Sequence, residues 1–174
     1  MSKFKKRIVA IFTGNRAEYG LQYPILRAIS KHPDLDYVLI VSGAHLDKNF
    51  GNTKNEIERD GYHIDAEIKI EMDADSLYST AQAIGSGIIE ISRALDTLKP
   101  DLMVVLGDRY EILSAVISAL LSGVPVAHIH GGEVTTGAFD DAIRNAITKM
   151  SHLHFTATEI SKNRVIQMGE IPSN

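Results

Sequence analysis

The sequence predicts an α/β fold built on a doubly wound, Rossmann-like parallel sheet. Three observations support this prediction. Short strand-like segments alternate with helical ones, residues 101–106 are nearly all apolar, and polar loops follow several of the strands. A continuously apolar strand is typical of a parallel sheet that helices cover on both faces. Helices that join such strands form right-handed crossovers, and the doubly wound rule then gives the strand order 3-2-1-4-5-6.

Six strands and six helices are expected in alternation. The strands are placed at residues 7–13, 37–41, 63–70, 101–106, 124–129 and 153–157, the third being the weakest. The first helix spans 18–30, and one of its faces carries Leu21, Ile25, Leu26 and Ile29. A polar helix lies within 42–60, with Phe50 and Ile57 as its expected anchors. The other helices are predicted at 77–98, 111–121, 140–149 and 159–168.

The long helix 77–98 contains two glycines. Ser76 is a suitable N-cap for this helix, and Pro100 lies just beyond its end. Each of Gly85 and Gly87 weakens the helix by about 1 kcal/mol relative to alanine. We therefore expect close packing or close backbone approach at both glycines.

Length and composition restrict the functional classes. A chain of 174 residues, 44% hydrophobic and 23% charged, fits one soluble globular domain, 1–174. The net charge of −4 argues against a nucleic-acid partner, and the absence of cysteine excludes disulfides and thiolate metal sites and suits the cytoplasm. The apolar run after the basic start is too short for a signal peptide, and no run is long enough for a membrane helix.

The loop after the first strand, residues 13–20, is the first candidate binding site, because ligands of open parallel sheets bind beyond the carboxyl ends of the strands. Gly14 allows close backbone approach, the next helix begins there, and Arg16 offers a planar donor for phosphate. An ordinary turn with a solvated arginine explains the same residues equally well. The loop lacks the glycine spacing of the dinucleotide fingerprint.

The loop 107–111 follows the most apolar strand. Asp108 is a candidate general acid or base that the neighbouring Arg109 would keep ionised. The alternative is that Asp108 only caps the next helix, and the sequence alone favours capping slightly.

Two histidines and a glutamate lie in segment 128–133. His128 and His130 alternate with Ile129, so they point to opposite faces of the strand. His128 is then structural and His130, at the strand end, belongs to the site, while two glycines let the chain bring Glu133 back to the cleft. A zinc site is disfavoured because the alternation separates the histidines and no further ligand is evident.

Two carboxylates begin the predicted helix at 140. Asp140 and Asp141 suit the first turn of a helix because they complement its dipole. They also lie on the same sheet edge as Asp108 and Glu133, and crowded carboxylates can supply both an acid and a base. The clustering, more than any single residue, predicts an acid–base site.

These motifs resemble a known family. TGNRAEYG at 13–20, GDRYE at 107–111, HIHGGEVTTGAFDDAIRNAITKMSHLHF at 128–155 and RVIQMGE at 164–170 look like the hydrolysing UDP-N-acetylglucosamine 2-epimerases of sialic-acid and related nonulosonate pathways. The resemblance covers essentially the whole chain. It implies the two-domain arrangement of B-type glycosyltransferases, with this chain as the N-terminal half and a C-terminal nucleotide-binding domain outside it.

The resemblance also implies a reaction and residue roles. UDP is eliminated to give a 2-acetamidoglucal, and water then adds to release N-acetylmannosamine and UDP, without metal or other cofactor. Arg16 and Arg109 resemble residues that face the diphosphate. Asp108 and Asp140 resemble the catalytic carboxylates, and Asp141 adjoins them.

The position of His130 departs from the pattern of many relatives, which carry a glutamate there. Either His130 takes over the acid–base role, which its near-neutral proton affinity permits, or Glu133 does. The histidine form also occurs in bacterial relatives that act on 2,4-diacetamido sugars. The expected substrate is therefore UDP-N-acetylglucosamine or a UDP-2,4-diacetamido sugar.

Three other functions are considered. A non-hydrolysing epimerase would interconvert two UDP-sugars without releasing free sugar, and a glycosyltransferase-type domain would need an acceptor. A receiver module is disfavoured because the first loop carries Asn15 and Arg16 where a receiver needs acidic residues. A flavodoxin-like module is disfavoured because such modules usually hold the flavin between aromatic side chains, and the chain has no tryptophan. For the epimerase, we expect a homo-oligomeric full-length enzyme and an inactive isolated half.

Overall fold

The computed structural model describes residues 5–70, 76–137 and 139–174. Two parts of the sequence discussed above lie outside these ranges: residues 1–4, at the start of the segment compared with a signal peptide, and Ala138, in the glycine-rich loop (residues 130–139). The strands are β1 (Arg7–Thr13), β2 (Leu35–Ser42), β3 (Ala66–Ile68), β4 (Leu102–Leu106), β5 (Val126–Ile129) and β6 (Leu153–Phe155). The helices are α1 (Arg16–Lys31), α2 (Lys54–Arg59), α3 (Leu77–Leu98), α4 (Tyr110–Leu121), α5 (Asp140–Met150) and α6 (Glu159–Gln167).

The described strands form one six-stranded sheet in the order β3-β2-β1-β4-β5-β6, and every pair is parallel. This confirms the predicted fold class and strand order. The central strands β1 and β2 pair over seven residues, whereas each edge strand is three residues long. No helix in the described part of the chain combines the length and apolar character needed to cross a bilayer.

The core lies on both faces of the sheet because the side chains of a strand alternate between its faces. In β1, Ala10 and Phe12 belong to one buried cluster, while Val9 and Ile11 belong to the other. The first cluster is closed by α3, α4 and α5, and the second by α1 and α2. Burial on both faces explains why the central strands are apolar at consecutive positions.

The buried face of α1 agrees with the predicted one at Leu26 and Ile29, with Ile25 partly buried, and differs from it at Leu21. Leu21, expected in the core, is 58% exposed. The residues that pack inward from this helix are Tyr19, Gln22, Leu26 and Ile29, which recur at helical spacing. Two overlapping apolar stripes exist in this helix, and the sheet selects the one that starts at Tyr19.

The segment 42–60, which ends in α2, is anchored by Ile57, as predicted, but not by Phe50. Ile57 is fully buried, whereas Phe50 is 56% exposed. His45 takes up the remaining core position, where its ring nitrogens contact Thr13 Oγ1 at 3.0 Å and Thr53 Oγ1 at 2.7 Å. Burial lowers the pKa of His45 to about 4, so this histidine is neutral near pH 7.

The two glycines of α3 have different surroundings. A Cβ on Gly87 would lie 2.9 Å from Ile70 Cδ1 and 3.1 Å from Ser114 Cβ, whereas a Cβ on Gly85 meets nothing within 4 Å. The expected close packing is therefore confirmed for Gly87 and wrong for Gly85. Close approach of α3 and α4 lets Ser114 and Ser118 of α4 donate to the carbonyl oxygens of Ile84 and Ile88.

These two glycines allow a matched stability test. We expect Gly85→Ala to raise the free energy of unfolding by about 1 kcal/mol, because the site is open and alanine favours helix. Gly87→Ala gains the same helix propensity but must displace Ser114, and overpacking of this kind costs about 1–3 kcal/mol. Chemical denaturation should rank Gly85→Ala above wild type and Gly87→Ala below it. Equal effects would contradict the close α3–α4 contact.

Candidate functional site

The predicted site residues lie at one edge of the sheet. Asp108 follows β4, and His130 and Glu133 follow β5. One side chain, Arg144 of α5, contacts both groups: Nη2 is 2.5 Å from Asp108 Oδ2, and Nη1 is 3.7 Å from Glu133 Oε2. The expectation that Asp108 and Glu133 lie at the same end of the sheet is confirmed.

Asp108 does not cap α4. Arg109 is the N-cap residue of that helix and makes no capping hydrogen bond through its side chain. The Asp108 carboxylate turns instead toward α5, where Oδ2 accepts hydrogen bonds from Arg144 Nη2 and, at 2.7 Å, from Thr135 Oγ1. The arginine beside Asp108 is therefore Arg144, and the expected pairing with Arg109 is wrong.

Arg144 organises the site, although it was not among the residues predicted for it. Its guanidinium is 8% exposed and binds Asp108, Thr135 and the carbonyl oxygen of His130. The positive charge lies between the carboxylates of Asp108 and Glu133, so these groups are bridged and do not simply repel each other. The available signal was its spacing, one helical turn after Asp140 on the same helix face.

His130 has an unusual backbone. Its φ is +66°, in the left-handed region that residues other than glycine rarely adopt. The backbone N–H donates to Phe155 O at 2.9 Å, and the carbonyl accepts from Arg144 Nη1 at 2.5 Å. The imidazole Nδ1 lies 2.5 Å from Glu133 Oε1, and 34% of each of these side chains is exposed. His130 and Glu133 thus form a pair that solvent can reach.

His128 is structural, as the alternation along β5 predicted. It is fully buried, and its Nε2 lies 2.8 Å from the carbonyl oxygen of Gly107. Nδ1 is 3.2 Å from Thr148 Oγ1. Burial lowers the pKa of His128 to about 4, with the Arg144 charge acting in the same direction. This histidine is a neutral part of the core that supports the loop before Asp108.

The glycine pair after His130 has a packing role. Gly132 has φ +74°, and a Cβ there would lie 2.3 Å from the carbonyl oxygen of Ser161 in α6. Its own carbonyl accepts a hydrogen bond from Arg164 Nη1 at 3.2 Å. A Cβ on Gly131 would come within 3.1 Å of His128 Nδ1. The loop that carries Glu133 is therefore packed tightly against α6.

Asp140 and Asp141 both begin α5 but point to different partners. The Asp141 carboxylate accepts from the Thr135 N–H at 3.2 Å and from Asn145 Nδ2 at 3.1 Å. Asp141 thereby fixes the loop that holds Thr135 against Asp108. Asp140 is half-buried beside Gly137, where a Cβ would lie 2.6 Å from Asp140 Oδ2. The carboxylate of Asp140 thus lies against the glycine-rich loop.

Gly14 and Arg16 also lie at this sheet edge, after β1, but have other partners. The Gly14 N–H donates to Glu18 Oε2 at 2.7 Å, so this donor is occupied. Arg16 pairs with Glu56 at 2.9 Å and its side chain is 72% exposed. Among the described residues, no ion pair joins Arg16 to the Asp108–Arg144 pair. The first loop thus borders the site without touching its centre.

A buried carboxylate cluster links the first and second loops. Arg109 donates to both carboxylate oxygens of Glu111, which is fully buried, and its Nε lies 4.0 Å from Glu18 Oε1. Glu18 is 6% exposed and also accepts from Asn15 Nδ2 at 2.6 Å. Burial, with the negative charge of Glu111, raises the pKa of Glu18 to about 7. Glu18 was not among the predicted site residues, although Asn15-x-x-Glu18 has the spacing of a capping box.

The raised pKa of Glu18 predicts a pH dependence of stability. The folded state keeps this proton up to about pH 7, whereas the unfolded chain releases it near its ordinary pKa of 4.5. The contribution of Glu18 to the free energy of unfolding is therefore fully present below about pH 4.5 and is lost as the pH rises to about 7. The variant Glu18→Gln cannot ionise, so its stability relative to wild type should rise by up to about 3 kcal/mol across that range.

Denaturant unfolding at several pH values measures this difference. His45 and His128 titrate in the same way in both proteins, so their contributions cancel. Glu56→Gln, which removes an exposed carboxylate from the same sheet edge, should follow the pH profile of the wild type. A constant difference between Glu18→Gln and wild type from pH 4.5 to 8 would contradict the buried, protonated state of Glu18.

Histidine and carboxylate side chains such as those of this site are potential metal ligands. Within residues 5–70, 76–137 and 139–174, no three His, Asp or Glu side chains are grouped so that they could hold a metal ion. His128 and His130 point to different surroundings, one in the core and one in the cleft. The separation expected from their alternation is confirmed.

Comparisons with known proteins identify the family of this chain. Residues 27–174 match the UDP-N-acetylglucosamine 2-epimerase family. A Legionella pneumophila protein named UDP-N,N'-diacetylbacillosamine 2-epimerase (hydrolyzing) is 42% identical over 164 residues, which are 94% of this chain and 43% of the relative. A Campylobacter jejuni protein named GDP/UDP-N,N'-diacetylbacillosamine 2-epimerase (hydrolyzing) is 42% identical over 95% of this chain and 43% of the relative.

A solved structure shares the fold. The Methanocaldococcus jannaschii UDP-GlcNAc 2-epimerase, determined in complex with UDP-GlcNAc and UDP, superimposes with a TM-score of 0.83 at 26% identity. The superposition covers 95% of this chain and 44% of that structure. The chain therefore spans less than half the length of the proteins that it matches.

Proposed function

This chain belongs to the UDP-N-acetylglucosamine 2-epimerase family, and on that premise we propose that it is the N-terminal half of a hydrolysing UDP-sugar 2-epimerase. One observation carries the proposal. Arg144 joins the Asp108 carboxylate to the loop of His130 and Glu133, so two proton-transferring groups from different strands are held at one sheet edge. A second half of the protein would close the cleft above this edge and bind the nucleotide.

The proposed reaction needs proton transfer at two stages. In the first, a base removes the proton at C2 of the sugar while the C1–O bond breaks and UDP leaves, which gives a 2-acetamidoglucal. In the second, water adds, with its oxygen bonding to C1 and a proton returning to the opposite face of C2. Asp108 and His130 are the proposed proton-transferring groups. Asp140 is proposed to assist as a second carboxylate, and Arg16 and Arg109 to face the diphosphate.

The names of the relatives support the hydrolysing reaction and a diacetamido substrate. Both 42%-identical relatives are named as hydrolysing enzymes for N,N'-diacetylbacillosamine nucleotides. We therefore propose a UDP-2,4-diacetamido sugar as the preferred substrate, with UDP-N-acetylglucosamine as the alternative. In either sugar the 2-acetamido group adjoins the carbon that loses its proton.

A chimera tests this proposal. Residues 1–174 would replace the matched portion of the Legionella pneumophila relative, so that the rest of that protein supplies the second half. We expect the folded chimera to release free 2-epimerised sugar and UDP from the diacetamido substrate, with slower release from UDP-N-acetylglucosamine. Formation of an epimerised UDP-sugar without free sugar would contradict hydrolysis. A folded chimera that binds UDP and converts neither substrate would contradict the epimerase proposal.

The isolated chain is expected to fold but not to turn over. The side chains of Arg16 and Arg109, the proposed diphosphate contacts, are 72% and 42% exposed. Exposed ion pairs contribute only ~0–1 kcal/mol each and weaken with salt. A half-cleft also cannot exclude water from the sugar. Calorimetry of residues 1–174 with UDP and a UDP-release assay should show neither tight binding nor product, and micromolar binding or turnover would refute the two-half architecture.

A further inference from the structure

The conformation of His130 is unfavourable for a residue with a side chain, and the surrounding structure holds it. A left-handed backbone brings the Cβ of such a residue close to its own backbone and is therefore unfavourable. Two other elements fix it here, since β6 accepts the His130 N–H and α5 donates to its carbonyl through Arg144. The close packing of Gly132 on α6 fixes the chain that follows. Residues held in this way are concentrated at functional sites.

The side-chain contact of His130 distinguishes its two ring nitrogens. Nδ1 lies 2.5 Å from Glu133 Oε1. The other oxygen of Glu133 lies 3.7 Å from Arg144 Nη1, so the carboxylate lies between the histidine and the arginine. An ionised carboxylate can only accept a hydrogen bond, so the proton of a neutral His130 ring must be on Nδ1. Nε2 then carries the lone pair, on a ring that is 34% exposed.

His128 provides an internal reference with the opposite arrangement. Its Nε2 lies 2.8 Å from the carbonyl oxygen of Gly107, an acceptor only, so its ring proton is on Nε2. The two histidines are two residues apart in sequence, yet their partners select different tautomers. A tautomer measurement therefore reports on specific contacts and not on histidine in general.

We propose that Glu133 is a positioning residue: it holds His130 in the Nδ1–H tautomer, so that Nε2 is the atom that exchanges a proton with the sugar. Glu133 is occupied on both oxygens, by His130 and by Arg144, and acts through the ring it orients. The tautomer follows from the contacts of this chain alone, whereas the exchange with a sugar rests on the proposed function.

The tautomer is measurable in residues 1–174 by long-range ¹H–¹⁵N correlation spectra of the imidazole rings, at about pH 8 and thus above the ordinary histidine pKa of ~6.5. We expect Nδ1–H for His130 and Nε2–H for His128 in the wild type. Glu133→Gln retains an oxygen that accepts from Nδ1–H and should keep the His130 tautomer. Glu133→Ala should give a mixture of tautomers at His130 while His128 is unchanged.

Either of two tautomer results would overturn the proposal: Nε2–H at His130 in the wild type, or the wild-type tautomer retained in Glu133→Ala. In the chimera, Glu133→Ala should lower kcat by at least about tenfold with little change in KM, since a wrong tautomer disables a general base, and Glu133→Gln should recover part of the loss. A change in KM with kcat unaltered in Glu133→Ala would also contradict the positioning role. If the tautomers are as expected but the wild-type chimera is inactive, the proposed function fails and the Glu133 contact stands.

Discussion

Asp108→Asn in the chimera should reduce sugar release by about 10²–10⁴-fold, the usual contribution of a placed proton-transferring side chain. Asparagine keeps the shape of aspartate, and its amide oxygen can still accept from Arg144 and Thr135, which both bind Oδ2 in the wild type. The cluster should therefore persist while the ionisable group is lost. Steady-state UDP release, with calorimetric titration of UDP, separates loss of chemistry from loss of binding.

Asp101, at the other end of β4, provides a control for the effect of replacing an aspartate by asparagine. The Asp101 carboxylate, just before β4, accepts the backbone N–H of Ile8 at 2.7 Å, a contact that asparagine can retain. Asp101→Asn should leave turnover near that of the wild-type chimera. If Asp108→Asn also turns over normally, then Asp108 only orders Arg144 and Thr135, and the acid–base assignment is wrong.

Gly132→Ala should be among the most destabilising single changes in this domain, with a loss of about 2–5 kcal/mol in the free energy of unfolding. Two costs add: the left-handed backbone at φ +74°, and a Cβ that would lie 2.3 Å from Ser161 O and 2.8 Å from Val165 Cγ2. A backbone oxygen cannot rotate away as a flexible side chain can, so α6 must move. Chemical denaturation of residues 1–174 measures the loss.

Gly61→Ala separates the two costs. Gly61 has φ +85°, similar to Gly132, but a Cβ there meets nothing within 4 Å. Its substitution should cost only the backbone contribution, roughly 1–2 kcal/mol. A loss at Gly132 no larger than the loss at Gly61 would show that the loop does not pack against α6 as described.

The architecture was predictable because it depends on local, repeated signals. Alternation of strands and helices, together with the apolar run 101–106, led to the correct sheet order. Predictions of which apolar residues are buried, and of which glycine is closely packed, were less accurate. Leu21 and Phe50 are as apolar as residues that are buried, and only the position of the sheet determines which of them it covers. Gly85 and Gly87 likewise differ only in what lies opposite them.

The site was predictable as a set of loops but not as a set of contacts. The rule that ligands bind at the carboxyl ends of parallel strands located Asp108, His130 and Glu133 correctly at one edge. It could not show that Arg144, 36 positions after Asp108, is the arginine that pairs with it. Nor could it show that Arg109 pairs with Glu111. Such pairings depend on the turn of each loop, which local sequence does not determine.

The two short edge strands have a practical consequence. An exposed strand edge is a template on which another chain can pair and aggregate, and apolar side chains increase that hazard. Phe155 on β6 is 57% exposed, but β6 and β3 are each only three residues long, so either edge offers few free backbone groups. Sheet-to-sheet association should therefore be weak even at the high concentrations that ring-nitrogen spectra require.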